Sequence, residues 1–153
     1  MNTINNFALD SDVTGKSSLT SLRKRSLTAG LLYILTFISI PTLTLYNSIR
    51  MPGYTMSEIS SSVITGGILE IIVGLAGIAT AVVLYPVLKK QSESLALGLV
   101  AARALEASTI FLGVAFLLTS LTLKQEANGA ETLATSHAFV VLYDRIFLVG
   151  QAF

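Results

Sequence analysis

The 153-residue chain has no cysteine, no tryptophan, one histidine and little charge, with Asp, Glu, Lys and Arg making up 12% of it. Without cysteine there are no disulfides, no thiolate nucleophile and no cysteine-ligated metal. One histidine does not make a multi-histidine metal site. Without tryptophan, an aromatic belt at a membrane surface has to be built from tyrosine. A soluble domain carries roughly twice this charged fraction, so the residues that cover a water-facing surface are missing. The net charge of +1 gives no reason to expect a nucleic-acid partner. Catalytic patterns are missing too. There is no HExxH, and the glycines of GGILEIIVGLAG lie inside an apolar run rather than between a strand and a helix. Ser136 beside His137 is adjacency, not a triad. No cofactor is expected.

What is present is hydrophobicity. Apolar residues make up 52% of the chain, and the mean hydropathy is +0.72. Residues 1–26 are polar, lack the apolar core of a signal peptide and read as a disordered cytoplasmic tail ending in Arg23-Lys24-Arg25. Residues 27–153 read as an all-α integral membrane bundle of four transmembrane helices, at 27–49, 63–88, 95–123 and 133–153. Pro41 should kink the first. Residues 50–62, with Pro52-Gly53, read as a loop, and a turn is expected around Asn128-Gly129. The short connection Gln91–Ser94 makes spans two and three antiparallel neighbours. The last span reaches Phe153 without closing charges, as in a fragment of a longer bundle. The expected partners are the lipid bilayer and either further helices of a longer chain or a homo-oligomer.

Lysine and arginine set the orientation. Lys16, Arg23, Lys24, Arg25, Lys89 and Lys90 fall on one side, and only Arg50 and Lys124 on the other. The positive-inside rule then places the N-terminus in the cytoplasm, and the lack of cysteine suits a cytoplasmic cell membrane.

Two patterns lie within the spans. Gly67, Gly74, Gly77 and Ala81 recur at helical spacing and form a stripe that allows close backbone approach. Glu70 is the ionisable member of that stripe. It joins Arg103, Glu106, His137, Asp144 and Arg145 as ionisable residues at membrane depth. At about 1.5 Å per residue, Arg103 comes level with Asp144, and Glu106 comes within reach of Arg145. Glu70 and His137 fall at similar depths. The expectation is a charge cluster that mainly holds the bundle together. The alternative is a transporter-like or small-ligand- or ion-binding protein that uses the same residues.

Three blocks carry a resemblance: TAGLLYILTFI, the stretch GGILEIIVGLAGIATAVVLYPVLKKQSESLALGLVAARALEA, and LYDRIFLVGQAF. The central block is the specific one, with its Leu-Tyr-Pro-Val-Leu end, short turn, Ala-Leu-Gly and Arg103-x-x-Glu106. The chain resembles the bacterial multi-pass membrane proteins grouped as domain of unknown function 4386. That resemblance implies a membrane location and further hydrophobic segments, and no activity.

Overall fold

A computed structural model describes residues 3–37, 39–51, 53–126 and 129–150. Among them six helices follow in order: α1 (Thr3–Thr36), α2 (Ser39–Leu45), α3 (Asn47–Arg50), α4 (Met56–Leu88), α5 (Glu93–Gln125) and α6 (Ala130–Gly150). No strand occurs among the described residues, so the all-α bundle stands.

The count of four spans is corrected. Among the described residues three helices, α4, α5 and α6, are long and apolar enough to cross a membrane. The apolar segment expected as the first span is broken. α1 ends at Thr36, whose hydroxyl donates to the Tyr33 carbonyl at 2.6 Å, and helix resumes at Ser39. Pro41 explains the break better than a kink does. It is the third residue of α2, in the first turn, where a missing N–H forfeits no helical bond. The helix α1 also starts at Thr3 and so takes in most of the stretch read as a polar tail.

The second long helix starts earlier than its hydropathy suggests. Thr55 and Glu58 form a reciprocal capping box, with the Thr55 hydroxyl accepting from the Glu58 N–H and the Glu58 carboxylate accepting from the Thr55 N–H. This Thr-x-x-Glu pattern places the helix start at Met56 within the stretch 50–62 that reads as a loop. Gly53, at φ 105°, supplies the tight turn before it. At the other end Pro86 sits in the last turn of α4, and Ser92 caps α5 by accepting from the Leu95 N–H. Pro52, Asn128 and residues 151–153, which carried parts of the expected turns and of the last span, lie outside the described residues.

The packing register follows from small residues. A Cβ built on Gly67 would lie 3.1 Å from Val114, and one built on Gly74 would lie 2.9 Å from Phe111 and 3.6 Å from the Ala107 Cβ. Seven residues along α4 correspond to seven back along α5, so the two helices are antiparallel with backbones in close approach. Gly113 does the same for α6, with Tyr143 3.1 Å from its built Cβ. Ser120 and Ser136 then fasten α5 to α6. Both are fully buried, each hydroxyl is 2.9 Å from the other's carbonyl oxygen, and the two hydroxyls are 2.9 Å apart.

The broken segment runs antiparallel along α4. Ala29 is buried, Tyr46 packs on Gly66, and the Ile49 carbonyl accepts from Lys124 Nζ at 2.7 Å near the end of α5. The outer faces are apolar. Only 28%, 33% and 17% of the most apolar windows of α4, α5 and α6 is buried within the protein, and Leu75, Leu95, Leu105 and Leu148 are all more than half exposed. In water such a surface would drive aggregation. In a bilayer it is the contact surface for lipid.

Candidate functional site

Polar groups gather where α2, α3, α4 and α6 meet. Glu70 is 5% exposed, and the Tyr143 hydroxyl donates to its Oε1 at 2.7 Å. A carboxylate accepts hydrogen bonds only, so a hydroxyl donor suits it. The buried Thr42 hydroxyl belongs to the same group around Glu70. Tyr46 is fully buried beside that carboxyl, and its hydroxyl has no partner at hydrogen-bonding geometry among the described residues. The rings of Tyr46 and Tyr143 meet edge to face, with centroids 5.3 Å apart.

Arg50 closes this group from above. It lies one turn beyond Tyr46, pairs with Asp144 and holds its guanidinium 5.8 Å from the centre of the Tyr143 ring. The bonds from Arg50 to Asp144, Tyr143 to Glu70 and Lys124 to Ile49 tie the broken segment and α4 to the α5–α6 hairpin.

Beside the cluster lies a cavity of about 270 Å³. Glu70, Gly74 and Gly77 form one wall and Arg103, Glu106 and Ile110 a second. Tyr143 and Phe147 of α6 and Tyr33 and Thr36 of α1 complete it. Helical spacing produces this lining. Arg103, Glu106 and Ile110 are three and four apart on α5, and Tyr143 and Phe147 are four apart on α6. The two glycines keep the α4 wall flat. Arg103 pairs with Glu106 on its own helix, and its aliphatic stem passes 4.0 Å from the Cβ position of Gly77.

The sequence-derived residues therefore divide. Glu70, Arg103 and Glu106 meet around the cavity. The pairings expected by depth are corrected: Asp144 pairs with Arg50 and not Arg103, and Glu106 pairs with Arg103 and not Arg145. Arg145 and His137 are exposed on α6, and the Glu70 bond goes to Tyr143 rather than His137. Gly67, Gly74, Gly77 and Ala81 are all buried on α4. The sequence patterns do not mark Tyr46 or Gly66, nor the inward reach of Arg50. Tyr143 carried a legible pattern, since Ser136, Val140, Tyr143 and Gly150 recur at helical spacing and are the buried residues of α6. Among the described residues no group of three or more His, Cys, Asp or Glu is placed to hold a metal ion.

Residues 28–153 match the model of a protein family described as Domain of unknown function (DUF4386). No curated protein and no solved structure matches the chain.

Proposed function

The chain belongs to the family described as Domain of unknown function (DUF4386), and from that premise we propose that it is a multi-pass protein of the cell membrane that binds a small ligand within its helical bundle. The cavity carries this reading. It brings a buried carboxyl, an Arg–Glu pair and aromatic walls together between the helices. Binding sites of this kind are concave and mostly apolar, with a few convergent polar groups. The break between Thr36 and Ser39 adds support, because both Tyr33 and Thr36 line the cavity. Interrupted helices at membrane depth belong where backbone faces a cavity rather than lipid.

The absence of cysteine gives a clean test. A single cysteine at Ile110, on the cavity wall, should react with N-ethylmaleimide in membranes at least about tenfold faster than one at Leu105. Leu105 is 53% exposed on an apolar face, where a thiol in hydrocarbon stays protonated and unreactive. Equal, slow labelling at both positions would favour a second reading, in which the two ion pairs and the Tyr143–Glu70 bond only hold the bundle together.

The orientation belongs to the same reading. Thr36 lies beside Gly74 and Gly77 at the cavity. Thirteen residues back along α1, about 20 Å at 1.5 Å per residue, Arg23 reaches the level of the α4 terminus and Lys89-Lys90. Both basic groups then share one side, the cytoplasmic one. In intact cells a cysteine at Gly129 should be labelled by an impermeant reagent and one at Ser92 protected. The reverse pattern would invert the orientation.

A further inference from the structure

The ionisable groups of the cavity do not cancel. Arg103 lies against Glu106, and that pair is neutral as a unit. Arg50, whose field also reaches Glu70, is engaged by Asp144 in a second neutral pair. Glu70 remains, with hydroxyl partners but with no ion-pair partner among the described residues. An uncompensated charge at membrane depth is costly, and a ligand of opposite sign would offset that cost. The walls fit the same sign. Tyr33, Tyr143 and Phe147 line the cavity, and the negative faces of aromatic rings attract an ammonium group. The space sets the size. About 270 Å³ falls just below the about 300–1,000 Å³ of pockets for drug-sized molecules.

We propose that the cavity takes a small organic monocation, a protonated amine or quaternary ammonium group, with Glu70 as its counter-charge and Tyr33, Tyr143 and Phe147 as its aromatic walls. This rests on the cavity being a ligand site, as proposed above. An anion is disfavoured at the same place, because the arginine that lines the cavity, Arg103, is already bound by Glu106. Tyr143 acts as the positioning residue. Its hydroxyl fixes the Glu70 carboxylate, while its ring forms part of the wall.

The test uses Ile110→Cys in the full chain, in membranes, with two methanethiosulfonates of similar size. One carries a trimethylammonium group and the other a sulfonate. The ratio of their rates, divided by the same ratio for a free thiol, should be at least about ten, because the site concentrates cations. Millimolar tetramethylammonium should slow the cationic reagent. Glu70→Gln should bring the ratio to within about twofold of the free thiol. Arg103→Gln, which leaves Glu106 unpaired, should raise the ratio further. This second variant keeps the question open to decision if Glu70→Gln fails to fold. Reaction of both reagents at the free-thiol ratio, or a preference for the sulfonate, overturns the cation assignment and leaves the ligand-site reading standing. Reaction of neither, together with slow labelling by N-ethylmaleimide, overturns both.

Discussion

Gly66→Leu is expected to destabilise the protein by about 3 kcal/mol, the upper end of the about 1–3 kcal/mol typical of overfilling a packed interior. A Cβ built on Gly66 lies 2.6 Å from Cε1 of Tyr46, 2.9 Å from its Cζ and 3.1 Å from its hydroxyl. Tyr46 has nowhere to retreat. It is fully buried, its ring packs edge-on to Tyr143, and Tyr143 is bonded to Glu70. The damage should therefore reach the cavity as well as the α2–α4 contact, and labelling at Ile110→Cys should change with it. Gly98→Leu is the control. A Cβ built on Gly98 meets nothing within 4 Å, and leaving glycine in a helix interior gains up to about 1 kcal/mol of propensity. That variant should be neutral or slightly stabilised. Melting of both in detergent decides the matter. Equal stability would mean that Tyr46 does not pack on Gly66.

The second large effect concerns the charge pairs. Arg50→Ala and Asp144→Ala should each cost about 2 kcal/mol. That is below the about 3–5 kcal/mol for breaking a fully buried pair, because the Asp144 side chain is 48% exposed. The double variant should cost less than the sum by about 1 kcal/mol, because neither charge is then left alone. The same cycle on Arg103 and Asp144 should be additive, since Arg103 is paired with Glu106. Coupling between Arg103 and Asp144, with additivity between Arg50 and Asp144, would contradict the observed pairing.

Much of the architecture was legible in the sequence, for reasons that belong to single elements. The ends of α4 and α5 at Leu88 and Glu93 are marked by an apolar run, two lysines and a polar turn, because a bilayer separates these residue types by depth. The stripe of Gly67, Gly74 and Gly77 stands out because helical periodicity is a property of the chain itself. Partner choice was not legible in the same way. Counting depth along straight helices placed Arg103 opposite Asp144, but depth says nothing about which face a side chain occupies. On α5, Arg103 and Glu106 are three apart and satisfy each other locally. Arg50 read as a loop charge outside the bundle. A long guanidinium stem at the end of a broken segment reaches back to Asp144, and the break itself depends on where Pro41 falls within a turn. The site was half legible for the same reason. Glu70, Arg103 and Glu106 stand out as charges in apolar runs, whereas Tyr143 becomes a hydrogen-bond donor to Glu70, with Tyr46 buried beside it, only once the helices are in place.

The paired serines of α5 and α6 have a mechanical consequence. One residue of slip between two helices moves a side chain about 1.5 Å along the axis and about 100° around it. Ser120 and Ser136 each need the other's hydroxyl and carbonyl within hydrogen-bond reach. A one-step slide would therefore strand buried donors and acceptors in a setting with no water to replace them. The two helices behave as a latched rail, able to flex together but not to shear. Any widening of the cavity must then come from the α4 wall or from α1. There Tyr33 and Thr36, in the last turn of α1, line the cavity without belonging to the latched pair.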